Sequence, residues 1–337
     1  DAVAQALEMP EEQVKVHNQF LGGGFGRRAQ ADYAVQAALI AKAVGHPVKL
    51  IWSREEDIRQ DAYRPAVLSR FKAALDESGS PVAWQNHFVD KHEPAEATHI
   101  PYEIANLDVQ DFASPTHVPF GPWRSVDHSQ HSFFTESFID ELAHAAGVDP
   151  YEYRRRLLSH DLRMRAVLDK AAQESGWDRP LPAGGGRGIA LQKSFGTIVS
   201  QVLEVEVSDG QVRVDRVVCA VDPGFAVNPN GLIAQMESGV SYGLTAALYG
   251  EVSIRNGAVQ QSNFDDYEMV RMSDAPKIET YIINSGESWG GAGEPGTPTV
   301  APALANAVYD ATKTRIRQLP LKIYDLGFRI EESAETG

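Results

Sequence analysis

One carboxylate in this chain is set in a tightly specified backbone. Residues 290–299 read "GGAGEPGTPT", which puts Glu294 between glycine steps and a proline. Gly290, Gly291 and Gly293 allow the main chain to approach a neighbour closely. Pro295 disfavours the helical region for Glu294. A carboxylate held there, away from water, is suited to accept a proton as a general base. The same setting also suits a glutamate bonded to main-chain amides near a helix start. The residues alone leave both readings open.

Two further stretches carry chemistry-bearing residues. Residues 22–28, "GGGFGRR", lie between a predicted strand and a predicted helix. Such a loop offers amides and a helix N-terminus to an anionic group. A dinucleotide fingerprint fails, because Arg27 stands where the third glycine belongs, and no Walker lysine follows. A tight turn without a ligand fits equally well, and Arg27 and Arg28 serve either an anion or solvent. In "VPFGPWRS", Gly121 and Pro122 fix the backbone ahead of Trp123 and Arg124. An arginine beside an aromatic ring can be held for fork-like bonding to a phosphate or a heterocycle edge, or can stack at the surface. His128 and His131 form an i, i+3 pair without a third ligand, which argues against zinc.

The elements that must position these residues follow from pattern. Alternation at Val14, Val16, Asn18 and Phe20 predicts a strand, and "VKLIW" at 48–52 a second, around an alanine-rich helix that stops at Gly45. Two strands are expected around the turn at 77–81. Three helices are expected between 127 and 177. Residues 179–188, rich in proline and glycine, mark the best boundary by composition. Asp209 with Gly210, and Asn256 with Gly257, predict hairpins, and glycine-pierced "IAQMESGVSYGLTAALYG" predicts a helix. "APALANAVYDATK" predicts the helix that follows the glutamate loop. The expected class is α+β, with two closely packed subdomains and mixed sheets, at 1–180 and 187–330.

Composition narrows the function. A net charge of -15 argues against nucleic acid and anionic membrane surfaces, since both need a basic footprint. The single cysteine, Cys219, excludes an intrachain disulfide and an iron–sulfur cluster held by this chain's own four thiolates. It falls in "VDRVVCAVD", which reads as a buried strand. No run is long and apolar enough for a membrane span. The chain starts inside a helical pattern without an initiator methionine, which reads as a processed or partial polypeptide. The pattern does not separate a cytoplasmic from a periplasmic address.

Taken in order, "LGGGFGRR", "GPWRS", "VDPGFAVNP", "AQMESG" and "GGAGEPGTPTVAPALANAVYDAT" resemble the molybdenum-binding subunit of the xanthine dehydrogenase/aldehyde oxidase family. Within it, the branch of isoquinoline 1-oxidoreductase large subunits and related bacterial aldehyde dehydrogenases is the more similar. The resemblance covers essentially the whole chain. It implies that Gly23, Gly24, Phe25 and Gly26 lie against a molybdopterin cofactor, in its cytosine dinucleotide form. It implies that Arg124 bonds the pterin or its phosphate region, that Ala292 and Gly293 sit beside the metal, and that Glu294 is the catalytic base. No protein side chain would ligate molybdenum directly. The implied reaction oxidises an N-heteroaromatic ring carbon or an aldehyde with water as the oxygen source. Electrons would pass to iron–sulfur centres on a partner subunit with two 2Fe–2S clusters.

Two departures qualify the resemblance. Ala29 stands near the place where many members carry a purine-contacting glutamate, which argues against purines. A glutamine-bearing "MGQG"-type segment is missing, so it is expected on an N-terminal part of the full subunit or on another chain. The competing reading is a non-catalytic homologue, a structural or assembly partner without metal.

Overall fold

A computed structural model of the chain describes residues 1–91 and 94–321. In chain order it contains α1 (Ala2–Leu7), α2 (Asp32–Val44), α3 (Arg54–Gln60), β1 (Leu68–Leu75), β2 (Pro81–Asp90) and β3 (Asn106–Ala113). Helices α4 (His128–Ala145), α5 (Pro150–Leu157) and α6 (Leu162–Ser175) follow. Then come β4 (Gly185–Ser194), β5 (Thr197–Ser208), β6 (Gln211–Asp222), α7 (Pro229–Leu248), the short β7 (Ile254–Arg255) and β8 (Ala258–Val259), β9 (Lys277–Ile282) and α8 (Val300–Thr312). Both larger sheets are mixed, as expected of an α+β chain. In one, β2 pairs antiparallel with β1 and parallel with β3. In the other, β4, β5 and β6 are antiparallel and β9 joins β6 in parallel. Residues 322–330, the end of the second predicted segment, lie outside the described residues.

The chain resolves into two interleaved compact units. Among the described residues, unit 2 comprises 66–115, 127–251 and 267–321. Its four-stranded sheet is covered on both faces. Ile189, Leu191, Ile198, Val202, Val218 and Ala220 pack with α6 residues such as Val167 and Leu168. The alternate residues Ala190, Leu203, Val205 and Val217 pack with Leu244 of α7 and Leu304 of α8. This alternation is the two-residue period of a strand, with both faces apolar. The hairpin joining β5 to β6 turns on Asp209 (φ 50°) and Gly210 (φ 74°), the left-handed pair that a tight hairpin needs.

Residues 179–188, which composition marks as a boundary, lie inside unit 2. Their glycines serve packing. A Cβ on Gly186 would come 2.1 Å from the Ala307 carbonyl oxygen, and one on Gly188 would come 2.2 Å from that of Ala303. Bare backbone on β4 therefore lets α8 lie directly against the sheet. Arg187 then ties the run down. It donates to Glu204 Oε1 at 2.8 Å and to the Arg179 carbonyl at 2.9 Å.

Unit 1 comprises 1–65, 116–126 and 252–266. Gly45 (φ 69°) closes α2 as expected, and Ser53 caps α3 by accepting from the Glu56 amide. The two strands expected at 13–21 and 48–52 do not form. Both segments lack regular structure, apart from the 3-10 turn Glu11–Gln13 that overlaps the first, and they join no ladder among the described residues. Alternation alone does not make a strand, because its amides and carbonyls need a partner strand. Val16, Phe20, Leu21 and Ile51 are all well exposed.

Candidate functional site

Within unit 1 the phenylalanine loop and the arginine loop are brought together. Gly23 (φ 122°), Phe25 (φ 51°) and Gly26 (φ 102°) all lie at positive φ, so the chain folds back on itself through "GGGFG". The left-handed angle is strained for a phenylalanine, and such strain concentrates at ligand sites. At Gly26 a Cβ would fall 2.1 Å from the Pro122 carbonyl oxygen. Only glycine lets this loop seat on "GPWR". The Arg124 guanidinium carbon stands 5.7 Å from the Phe25 ring centroid. Arg124 is 2% exposed, and two more strained residues, Ser125 (φ 77°) and Val126 (φ 40°), follow it. Arg64 stacks over Trp123 at 4.7 Å from the ring centroid.

Arg27 is an anchor of this loop. Its guanidinium bonds Asp32 through two 2.8 Å contacts and Asp61 at 2.5 Å. The Arg27 hydrogen bond holds the Asp32 carboxyl below its ordinary range. The loop does not open straight into an α-helix. A 3-10 turn, Arg27–Ala29, intervenes before α2. The α-helix N-terminus expected directly after the loop is therefore displaced to Asp32.

Ala292, Gly293 and Glu294 belong to unit 2, on the loop between β9 and α8. Main-chain bonds pin the start of that loop: the Gly290 amide donates to the Pro223 carbonyl at 2.9 Å, and the Gly291 amide to Phe195 at 2.7 Å. Gly290 packs so tightly that its Cβ would lie 2.2 Å from Thr197 Oγ1. After Glu294 the chain is buried from Pro295 through Val300, while Glu294 itself is half-buried. The Thr297 amide donates to the Glu294 carbonyl at 3.0 Å, which leads the chain into α8. Helix α7 supports the loop from the other side. Gly296 lies against Met236 and Gly239, and Gly293 faces Gln235.

The approach to the loop is built on a buried aspartate. Asp222 Oδ2 accepts from Arg163 at 2.6 Å, and its Oδ1 accepts from the Gly224 amide at 2.8 Å and from Ser285 at 3.0 Å. Burial alone would raise this carboxyl, but the Arg163 guanidinium and the other donors outweigh it and hold it below its ordinary value.

Several buried polar atoms nearby have no hydrogen-bond partner: Thr297 Oγ1, Thr299 Oγ1 and Gln201 Oε1. Buried polar groups are rarely left so unless something else fills the role. Thr297 and Thr299 fall inside the stretch that the sequence singles out, whereas Gln201, Thr197, Gln235 and Met236 are neighbours of the loop that sequence reading misses. Gln235 and Met236 carry a signal in "AQMESG"; the strand residues carry none.

His128 and His131 are buried in α4, and no group of three or more potential metal ligands occurs among the described residues. Cys219 is fully buried, and desolvation pushes its thiol up to about 12, which makes it a packed, inert side chain.

Comparison with known proteins identifies the family. Residues 1–158 match a molybdopterin cofactor-binding domain, and residues 139–276 match a second domain of the same description. The chain is 31% identical to isoquinoline 1-oxidoreductase subunit beta of Brevundimonas diminuta, over 95% of this chain and 44% of that protein. It is 32% identical to a membrane-bound aldehyde dehydrogenase (pyrroloquinoline-quinone) of Gluconacetobacter polyoxogenes, over 96% of this chain and 48% of that protein. The chain thus spans about half the length of these curated relatives. Its fold superposes on quinoline 2-oxidoreductase from Pseudomonas putida 86 with a TM-score of 0.83 at 14% identity, covering 96% of this chain and 70% of that one. With two domain matches that together span residues 1–276, the chain belongs to the molybdopterin cofactor-binding family.

Proposed function

We propose that this chain is the catalytic portion of a molybdenum hydroxylase that oxidises an N-heteroaromatic ring carbon or an aldehyde. In this reading Gly23, Gly24, Phe25, Gly26, Arg124, Ala292 and Gly293 bind the molybdopterin cofactor, and Glu294 is the catalytic base. The segment 1–180 supplies the phenylalanine and arginine loops, and 187–330 supplies the glutamate loop. The observation that carries it is the packing of the Gly26 turn on Pro122 beside a buried Arg124, with Glu294 on an equally constrained loop.

The residues present fit such a cofactor on two counts. Unit 1 offers a glycine-framed backbone with a buried arginine, the donor set that an anionic pterin phosphate needs. Unit 2 offers buried threonine hydroxyls without partners on the residues just after Glu294. When bound, the cofactor supplies the two-electron redox chemistry. The chain's own task is to orient the cofactor and the substrate, to exclude water, and to accept at the Glu294 carboxylate the proton released by the oxygen-donating water. Aid of this kind is worth about 10²–10⁴-fold in rate.

The cytosine dinucleotide form and a subunit with two 2Fe–2S clusters complete the proposal. The resemblance supports both, and the single buried cysteine of this sequence cannot hold such a cluster by itself. The missing "MGQG"-type segment is assigned to the part of the relatives' length that this chain does not span. Isoquinoline and aldehyde oxidation belong to the named relatives, and Ala29 argues against purines here. Elemental analysis of the intact complex, with dye-linked oxidation of quinoline-like heterocycles and of aldehydes, tests the reading. Stoichiometric molybdenum with turnover supports it. A stable complex without molybdenum or turnover favours the structural-partner alternative.

A further inference from the structure

We infer that Thr197 and Gln201 are positioning residues that clamp the Glu294 loop at both ends, an assignment that rests on the reading of Glu294 as the base. The two stand four positions apart on β5. Side chains alternate along a strand, so both project from the same face. Thr197 Oγ1 donates to the Gly291 carbonyl at 2.6 Å, and Gln201 Nε2 donates to the Gly296 carbonyl at 2.8 Å. Glu294 lies between those two carbonyls in sequence, and both clamping side chains are 0% exposed.

The mounting is rigid. Strand β5 is flanked by β4 and β6 and lies inside the sheet. A main-chain bond reinforces the first clamp, since the Gly291 amide reaches the Phe195 carbonyl on the β4–β5 turn at 2.7 Å. The requirement for glycine at 290 follows from the same contact, because the Thr197 hydroxyl occupies the space a Cβ would take. At the second clamp, Met236 Sδ would lie 3.1 Å from a Cβ on Gly296, so the chain is held between strand and helix. A displacement of about 1 Å in a catalytic group can cost about 10²-fold in rate. Two hydrogen bonds from one strand therefore set where the carboxylate sits.

The test uses Thr197→Val, Thr197→Ser and Gln201→Met in the intact complex, with Glu294→Gln as reference. Amide hydrogen exchange of residues 288–298 is read alongside kcat and KM. Thr197→Val and Gln201→Met are expected to speed exchange in that segment by about tenfold. They are expected to lower kcat by about ten- to a hundredfold, with KM within about twofold. Exchange in β6 should stay unchanged. Thr197→Ser, which keeps the hydroxyl and drops the methyl, should restore both readings. The assignment is overturned if Thr197→Val exchanges and turns over like the parent, or if Thr197→Ser is as impaired as Thr197→Val, since packing would then be the cause. If Glu294→Gln keeps full turnover, the base reading fails by itself, and the exchange data still decide whether the clamp exists.

Discussion

Every apolar cluster among the described residues lies in unit 2, whereas the only buried apolar side chain in unit 1 is Ala4. Unit 2 buries both faces of its four-stranded sheet. Unit 1 relies on polar contacts, such as Arg27 with Asp32 and Asp61, and Lys42 donating to the Leu7 carbonyl at 3.0 Å. The hydrophobic effect is the main stabilising term in folding, and exposed ion pairs contribute little. The two regions therefore differ in kind. The glutamate loop is mounted on a self-sufficient core. The phenylalanine and arginine loops are shaped by strained backbone and ion pairs. Precision in unit 2 comes from packing, and in unit 1 from glycine geometry and ion pairs.

The largest expected effect sharpens this contrast from the core side. Arg154 and Glu136 are both essentially unexposed, and Arg154 Nε donates to Glu136 Oε2 at 2.9 Å. Arg154→Ala would leave a buried carboxylate uncompensated and should cost about 3–5 kcal/mol in urea or thermal unfolding. A loss under about 1 kcal/mol would mean that water reaches the pair.

A matched truncation probes the comparison more directly. Leu203 on β5 is 0% exposed and Ile51 in unit 1 is 74% exposed. Leu203→Ala should destabilise by about 2–5 kcal/mol. Ile51→Ala, in the chain by itself, should fall within about 0.5 kcal/mol. Similar costs at the two positions would show that unit 1 has an apolar core of its own.

The smallest effect is an acid limb that belongs to unit 2. The Arg216 hydrogen bond, with help from Lys277, holds the Glu279 carboxyl at about 2. A depressed folded-state value stabilises above the ordinary carboxylate range and is lost as pH falls. This contribution is complete above about pH 4.5 and disappears on the way down to about 2. Glu279→Gln should flatten that part of the stability–pH curve and leave the curve above pH 5 parallel to the parent. An unchanged acid limb would remove Glu279 as its cause.

How much of this is legible in the sequence depends on whether a residue's role is local. The hairpins at Asp209–Gly210 and Asn256–Gly257 are local, because left-handed φ values of 50–77° require those residue types. Helices α2, α4 and α8 are legible from their periodicity and stops. Strands β4 and β9 are not. Strand β4 is buried on both faces, so it shows no alternation, and its glycines imitate a linker. Residues 13–21 fail in the opposite way, alternating as a strand should but joining no ladder among the described residues. In the candidate site, Glu294, Gly26 and Arg124 announce themselves by unusual backbone chemistry around them. Thr197 and Gln201 do not, since a polar side chain on a strand gains its meaning only when a loop nearly a hundred residues later folds onto it.

The central claim is that Glu294 moves the proton in a molybdenum-dependent oxidation. The direct measurement is kcat of Glu294→Gln in the intact complex, with molybdenum and pterin content determined on the same sample. The expected result is full cofactor content with turnover reduced by at least about 10²-fold. Parental turnover at full cofactor content would contradict it.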